Sequence, residues 1–278
     1  MKINNVIILA AGKGTRMGPI GEECPKVLWP LLNFQLLEWQ VLFAKRLLPR
    51  AKIFINSFYY NKELVNAFSE SEILNSTELV IEEEKLDIGG GIHNIAQKIG
   101  YSGYTLVLNA DQFIMFDQKY LSELEKQFDP KMTGLLITKK VDIAKGYNTF
   151  IFEENKIKEI EKYKHGMEGE GETYTGVSVI CMDNLERHQG ESNFFSSVAN
   201  YKKDLVLFNN CDELEYWDFG TLERYIDAVK ELSQSKSLFL NWIENESKAK
   251  IEKFRDTNGY KFRNFKINLN ENKVSLAR

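Results

Sequence analysis

The chain has 278 residues, with 36 basic against 40 acidic side chains and a net charge of −4. A chain of this length can bury roughly three quarters of its unfolded surface, so its core needs no disulfide or structural metal. The slight acidity excludes a protein that gathers nucleic acid or anionic membrane by bulk charge; any polyanionic ligand must be held by a local site.

The elements alternate in the first half. Val6 to Leu9 is a short, continuous, β-branched run, as in a strand buried on both faces of a parallel sheet. Leu36 to Leu48 carries apolar residues at helical spacing and stops at Pro49; Lys52 to Asn56 is the next strand and Lys62 to Phe68 the next helix. Leu79 to Ile81 then reads as a strand, Ile92 to Ile99 as a helix opened by Gly89-Gly90-Gly91, and Tyr104 to Leu108 as a strand ending in Asn109-Ala110-Asp111. Repeated β-α units of this length predict a parallel sheet with helices on both faces.

The second half reads differently. Gly134 to Lys139 is a strand, and Phe150 to Phe152 with Ile157 to Ile160 is a hairpin. His165 to Glu172, rich in Gly and Glu, reads as a mobile loop ahead of the strand Thr175 to Met182. Leu205 to Phe208 and Tyr216-Trp217 extend the sheet, and Leu222 to Leu232 is a helix. Beyond Ser233 the chain is richer in Lys, Asn, Glu and Ser, with one apolar helical face at Leu238, Phe239, Trp242 and Ile243. That segment is expected either to dock on the main body or to serve oligomerisation.

Cysteine and targeting patterns point one way. Cys24, Cys181 and Cys211 have no CxxC spacing, and His93, His165 and His188 lie at no zinc-ligand spacing from them. Unpaired thiols fit a reducing compartment. The apolar run after Met1–Asn5, from Val6 to Ala11, is too short for a secretory leader or a membrane span. The expected setting is cytoplasmic, without membrane or nucleic-acid partners.

The strongest local signal is Leu9-Ala10-Ala11-Gly12-Lys13-Gly14-Thr15-Arg16-Met17-Gly18, followed by Pro25-Lys26-Val27-Leu28-Trp29-Pro30. A glycine-rich turn leaving a buried strand turns backbone N–H groups toward an anion and lets the backbone approach it closely. The bland alternative is a strand–turn whose glycines answer only to sterics. Met17 breaks the dinucleotide-binding fingerprint, and no Gly-Lys-Ser/Thr follows as a P-loop requires. What remains is a phosphate-binding turn carrying Lys13 and Arg16, with Lys26 just before a proline-flanked segment.

These segments resemble the signature of the nucleotidyltransferases that activate sugar 1-phosphates, L-A-[AG]-G-x-G-T-R-[ML] and then P-K-x-L-x-P. The match is residue by residue from Leu9 to Met17 and at Pro25, Lys26, Leu28 and Pro30. The usual Gly-Lys/Gln-Pro turn after it is replaced by Leu32-Asn33-Phe34-Gln35. The resemblance implies that Leu9, Ala10, Ala11, Gly12, Lys13, Gly14 and Thr15 wrap the triphosphate of an NTP, with Arg16 and Lys26 stabilising charge during transfer.

Later segments follow in the family's order. Asp87-Ile88-Gly89-Gly90-Gly91-Ile92 is similar to an E-T-G-G-G-I stretch of the branch that includes N-acetylmuramate 1-phosphate uridylyltransferases, which implies that Gly89 and Gly90 let the nucleobase lie against the backbone. Asn109-Ala110-Asp111 resembles N-[GA]-D, and Trp217-Asp218-Phe219-Gly220-Thr221 resembles W-x-D-[VIF]-G-T in compressed spacing; the implied Mg²⁺ ligands are Asp111 and Asp218. Glu161-Lys162 resembles the pair that contacts the sugar and its phosphate, with Tyr163 where a proline is usual. Tyr174-Thr175-Gly176-Val177 resembles the strand beside the sugar, and Asn109, Thr175 and Gly176 are the further implied substrate contacts.

Each later motif alone is weak: an Asp after a strand usually caps a turn, a Glu-Lys pair is usually a solvated surface pair, and a Thr-Gly in a strand is commonly a bulge. Their order along the chain carries the inference. The implied fold is α/β, a Rossmann-like, mostly parallel mixed sheet flanked by helices. The expected catalytic domain spans 1–232, with an NTP-binding half over about 1–115 and an acceptor-binding half over 116–232, and a helical appendage covers 233–278. The implied activity is Mg²⁺-dependent transfer of a nucleotidyl group from an NTP to a sugar 1-phosphate, releasing pyrophosphate. The alternatives are a cytidylyltransferase for phosphocholine or another small phosphomonoester, for which Tyr147, Tyr163, Tyr174 and Trp217 near the sugar-side segments supply aromatic surface, and a catalytically silent relative. A homo-oligomer is left open.

Overall fold

The computed structural model describes residues 2–154, 156–203, 205–234, 237–247, 259–263 and 265–276. Its centre is a parallel block of β1 (Ile3–Leu9), β2 (Lys52–Ser57), β3 (Glu78–Ile81) and β4 (Tyr104–Asn109), in spatial order β3-β2-β1-β4. Val6, Ile7 and Ile8 are all fully buried, and they alternate between two core clusters: Val6 and Ile8 face one, Ile7 the other with Phe54 and Val107. Helices cover both faces, which is why β1 reads as an unbroken apolar run.

The covering helices include α1 (Leu36–Leu47), α2 (Asn61–Glu70) and α3 (Asp87–Lys98). Helix α1 opens with a capping box between Gln35 and Glu38, and the second oxygen of the buried Glu38 carboxylate accepts from the Ser71 hydroxyl at 2.6 Å. Just before it, Leu32 takes φ 59° in the turn of a two-residue hairpin, Pro30–Leu31 with Phe34–Gln35. The chain leaves β1 on one side for β2 and later returns on the other for β4. Such a reversal of strand order leaves a crevice at the carboxyl ends of the two strands.

In the second half the sheet becomes largely antiparallel. The elements are β5 (Gln112–Ile114), α4 (Gln118–Gln127), β6 (Gly134–Asp142), β7 (Thr149–Glu153), β8 (Lys156–Glu161), β9 (Glu170–Cys181), β10 (Val206–Asn210) and β11 (Tyr216–Asp218). Strand β9 runs antiparallel to β4 and also pairs with β6 and β7; β8 forms the hairpin with β7, and β10 lies parallel to β6. The loop expected over His165 to Glu172 is shorter than its composition suggests, because Glu170, Gly171 and Glu172 already pair with Asp142, Val141 and Lys140. Backbone pairing there tolerates the acidic side chains, because Glu170 is exposed and Glu172 only half-buried.

The segment expected to be a helical appendage needs correction. Helix α5 (Leu222–Gln234) and α6 (Leu238–Ser247) are followed by a three-stranded antiparallel sheet, β12 (Gly259–Phe262), β13 (Phe265–Asn268) and β14 (Lys273–Leu276). Residues 235–236, 248–258, 264 and 277–278 of that stretch lie outside the described residues. Phe239, Trp242 and Ile243 pack into the main core, where the Trp242 ring lies 5.3 Å from Trp39 and Phe239 lies 5.1 Å from Phe113. Phe265, Ile267 and Val274 join the same core, with Phe265 5.9 Å from Trp29. The Glu215 carboxylate accepts the first amides of α6, from Leu238 at 2.6 Å and Phe239 at 3.1 Å, and so fixes where the helix begins. Phe239, Trp242 and Ile243 therefore cover this chain's own core, whereas Leu238 of the expected apolar face is exposed. Among the described residues no helix is long and apolar enough to cross a membrane.

Candidate active site

A cleft of 510 Å³ opens at the carboxyl ends of β1 and β4. Its floor is the turn after β1. The Ala10 amide donates to Asn56 Oδ1 at 2.8 Å, and Asn56 Nδ2 donates to Glu82 Oε1 at 2.7 Å, so two neighbouring strands fix where the turn starts. Gly14 sits at φ 68° and begins a single 3₁₀ turn, Thr15–Met17, closed by the Met17 amide on the Gly14 carbonyl at 2.9 Å. The fully buried Met17 anchors that turn, and the Tyr60 hydroxyl donates to the Lys13 and Gly21 carbonyls at 3.0 and 2.6 Å.

Gly12 is different from its neighbours. A Cβ there would meet nothing within 4 Å, so the missing side chain serves open space in the cleft and not the packing of the chain. Leu9, Ala10, Ala11, Gly12, Lys13, Arg16 and Lys26 all line the cleft, whereas Gly14 and Thr15 lie outside the lining and shape the turn. Lys13 and Arg16 are exposed.

Opposite the turn stand the two aspartates. Asp111 lies at the tight corner between β4 and β5, which is held by the Gln40 amide group donating to the Asn109 and Gln112 carbonyls at 2.6 and 3.0 Å. Asp218 ends β11, which pairs with β5 so that Asp218 faces Gln112. The Phe219 amide donates to the Asp111 carbonyl at 2.9 Å and the Gly220 amide to Asp218 Oδ1 at 2.7 Å. A Cβ on Gly220 would lie 2.8 Å from Asp218 Oδ1, 3.2 Å from Asp111 Oδ2 and 3.8 Å from an Arg16 nitrogen. The absent side chain leaves a cradle in which both carboxylates and a guanidinium converge. Two carboxylates with space for phosphate and water oxygens match what Mg²⁺ takes.

Both aspartates are nearly buried and both carry a partner cation. Lys26 Nζ pairs with Asp111 Oδ2, and Arg224 Nη1 pairs with Asp218 Oδ2 at 2.7 Å. Burial pushes the Asp111 carboxyl upward, but the charge and hydrogen bond of Lys26, with Arg16 behind, hold it below the usual carboxylate range. Asp111 is thus ionised at neutral pH. The Tyr147 and Tyr216 hydroxyls, buried beside Asp218, are pushed well up and stay protonated.

The cleft continues to two sides. One end is lined by Phe58, Tyr59, Glu82, Lys85, Leu86, Asp87 and Ile88, the other by Tyr147, Asn148, Phe150, Ile160, Tyr174 and Phe195. At the first end Gly89 and Gly90 do not face the cleft. A Cβ on Gly89 would lie 2.5 Å from Ser197 Oγ and 2.7 Å from the Asn193 carbonyl, and one on Gly90 would overlap the Gly190 carbonyl. These glycines let α3 pack against residues 190–197, with the Gly90 amide donating to the Ser192 carbonyl at 3.1 Å. Glycine is the poorest helix former short of proline, yet the helix starts at Asp87 and runs through all three. Gly91 instead makes room for the Asn56–Glu82 pair.

At the second end other expected contacts also move. Glu161 and Lys162 are exposed at the end of β8 and are not part of the lining, although Ile160 is. Thr175 is fully buried and donates to the Ile137 carbonyl at 2.7 Å, away from the cleft. Gly176, at φ 80°, lies where β9 shifts register against β6, and its missing side chain leaves room for the Asn109–Gln112 hydrogen bond at 2.6 Å. Trp217 is core, stacked on Phe239 at 5.7 Å. Asn109, Asp111, Asp218 and Lys26 do line the cleft.

Sequence reasoning missed Glu82 and Arg224. Glu82 is only 3% exposed, and burial pushes its carboxyl up to about 7 against the Asn56 hydrogen bond that lowers it. It sits in Glu82-Glu83-Glu84-Lys85, a run that reads as a solvated face. The alternation of β3 into the sheet was the available signal. Arg224 belongs to the first turn of α5 and to no motif.

The architecture matches solved structures. HddC from Yersinia pseudotuberculosis superimposes with a TM-score of 0.65 at 20% identity, covering 82% of this chain and 99% of its own. A putative glucose-1-phosphate thymidylyltransferase from Bacillus anthracis gives 0.65 at 19% identity, covering 85% and 98%. In sequence, the bifunctional protein GlmU of Acinetobacter baylyi is 30% identical over 216 residues, and that of Acinetobacter baumannii strain AYE 28% over 214. Each alignment takes in 76% of this chain and 45% of the relative, so the chain spans about half the length of the curated relatives it matches. The nucleotidyl transferase family model matches residues 5–235, and the chain belongs to that family.

Proposed function

We propose that the protein transfers a nucleotidyl group from an NTP to a sugar 1-phosphate in a Mg²⁺-dependent reaction, releasing pyrophosphate. The observation that carries this reading is the convergence of Arg16, Lys26, Asp111 and Asp218, from four separate segments, around one point of the cleft. The acceptor is ionised already, so the chain needs no strong base; it must position two anions and offset their charge.

An oxygen of the acceptor phosphate attacks the α-phosphorus in line, and the bond from that phosphorus to the β-phosphate bridging oxygen breaks. The turn from Ala10 to Lys13 cradles the triphosphate with its amides. Lys13 and Arg16 hold the β- and γ-phosphates, and Lys26, restrained by Asp111 at rest, spans the attacking and α-phosphates. A Mg²⁺ ion bound by Asp111 and Asp218 would supply charge neutralisation on the phosphate oxygens. The Phe58–Ile88 end takes the base, and the Tyr147–Phe195 end takes the acceptor.

A cytoplasmic setting goes with this reading, in keeping with the free thiols of Cys24, Cys181 and Cys211, and neither membrane nor nucleic acid has a role in it. The four aromatic rings at the acceptor end favour a second acceptor class, phosphocholine or another small phosphomonoester with a compact head group. Thermal shift with UTP, CTP, GTP and dTTP in Mg²⁺ should rank the bases. Pyrophosphate release over a panel of hexose 1-phosphates and phosphocholine then separates the acceptors. A chain that no NTP stabilises would sink both readings.

A further inference from the structure

The acceptor end of the cleft is short of positive charge. Lys162, the cation expected there, is exposed and off the lining. Among the described lining residues the cations are Lys13, Arg16 and Lys26 at the phosphate turn, Lys85 at the base end, and Arg224. Lys85 is paired with Glu191 on the surface. A phosphomonoester would bring two negative charges to a wall of Tyr147, Asn148, Phe150, Tyr174 and Phe195, directly beside a polyanionic triphosphate. Repulsion of that size calls for a cation at that end.

We propose that Arg224 binds the phosphate of the acceptor, and that the Tyr147 ring is the platform that orients its guanidinium. The inference rests on the nucleotidyl-transfer reading above. Arg224 is positioned for it on three sides. Nη1 donates to Asp218 Oδ2 at 2.7 Å, Nη2 donates to the Lys145 carbonyl at 2.6 Å, and the guanidinium carbon lies 3.8 Å from the centroid of the Tyr147 ring.

The backbone accommodates this stack. Gly146, at φ 83°, follows the Lys145 carbonyl, and even a Cβ there would come within 3.6 Å of Nη2. A guanidinium has five N–H donors in a planar fork, and the two bonds named leave one further N–H on each of Nη1 and Nη2; Nε is buried and has no acceptor among the described residues. That fork is the geometry that grips two phosphate oxygens at once, which an ammonium cannot do.

Its location decides which phosphate it serves. Asp218 lies between Arg16 and Arg224: the Gly220 cradle that touches Asp218 Oδ1 has Arg16 3.8 Å away, while Asp218 Oδ2 holds Arg224. Arg16 therefore faces the triphosphate turn and Arg224 the aromatic end. An acceptor phosphate gripped by Arg224 would sit against the α-phosphate without competing for Lys13 or Arg16.

The test uses the full chain with the NTP that binds best. In Arg224→Gln, KM for the acceptor should rise about 10- to 100-fold, the range for losing a charge-assisted pair. The Kd of the NTP, titrated calorimetrically without acceptor, should move by less than about twofold. Arg224→Lys should recover part of the acceptor KM, and Tyr147→Ala should raise the same constant by less than Arg224→Gln does. Inorganic phosphate titrated into the chain loaded with a non-hydrolysable NTP analogue supplies a readout without turnover, and its binding should weaken in step. An unchanged acceptor KM overturns the proposal. So does an NTP Kd that rises in parallel, which would assign Arg224 to Asp218 alone. A wild-type chain that binds no NTP removes the nucleotidyl-transfer reading itself, and this proposal with it.

Discussion

Glu82→Gln isolates the energetic cost of one buried carboxyl. The substitution keeps the side chain's shape and the oxygen that accepts from Asn56 Nδ2 at 2.7 Å, and removes only the ionisation. Burial raises the Glu82 carboxyl from 4.5 to about 7. Between those values the native chain holds a proton that the unfolded chain releases. Its contribution is fully present below pH 4.5 and is lost as pH rises to about 7. Raising the carboxyl this far corresponds to about 3 kcal/mol in all, most of which falls between pH 5 and pH 8.

Urea unfolding of the wild type and Glu82→Gln at pH 5, 6, 7 and 8 gives the difference directly, because every other titrating group cancels between the two. The stability of Glu82→Gln relative to wild type should climb with pH over this range by about 2 to 3 kcal/mol and then level off. Parallel stability curves would refute the reasoning, and would mean that the carboxyl is solvated in the native chain.

Other substitutions separate site from scaffold. Asp111→Asn and Asp218→Asn should each cut pyrophosphate release by at least about 100-fold while the melting temperature stays within a few degrees; near-normal rates in both would remove the aspartates from the reaction. Lys26→Ala should lower kcat by a larger factor than it weakens NTP binding, and the opposite split would make it a ground-state contact. Gly12→Ala should leave unfolding unchanged within about 0.5 kcal/mol and weaken NTP binding, whereas Gly90→Ala, meeting the Gly190 carbonyl, should cost about 1–3 kcal/mol. Equal stability losses at the two glycines would contradict the distinction. Phe265→Ala, emptying a site that is 4% exposed, should cost about 3 kcal/mol or more in urea unfolding; no loss would mean that the C-terminal sheet does not share the main core.

The parts of the site legible in the sequence are those that local chemistry confines. A buried β-branched strand, a glycine turn and cations in that turn lie within a few residues of one another, and their geometry follows almost wholly from the backbone. Asn109-Ala110-Asp111 is similar, since the end of β4 beside β1 leaves few places for Asp111 to stand. Glycine is ambiguous in a different way. Gly12, Gly89, Gly90 and Gly176 each signal that something must come close, but residue type does not say whether that is a ligand, a neighbouring loop or a pair of side chains. The structure answers with open space at Gly12, residues 190–197 at Gly89 and Gly90, and Asn109–Gln112 at Gly176.

Charge was ambiguous for the same reason. Glu82 and Arg224 look like surface residues in sequence, and only distant partners reveal otherwise: Asn56 is 26 positions from Glu82, and the Lys145 carbonyl 79 from Arg224. The C-terminal sheet was equally hidden, because four-residue strands, each carrying a Lys, gain their stability from Trp29 and the rest of the core.

By itself, then, the sequence determined that an acidic chain must hold any polyanion at a local site, and it named the glycine turn with Lys13 and Arg16, Lys26 beyond it and, through the family resemblance, two aspartates. Tertiary structure alone decided what those groups face. It set Asp111 and Asp218 around one cradle, turned two conspicuous glycines away from it, and brought Arg224 onto the Tyr147 ring at the aromatic end of the cleft. Residue type fixes what a side chain can do, whereas its partners depend on how strands far apart in the chain come to lie edge to edge.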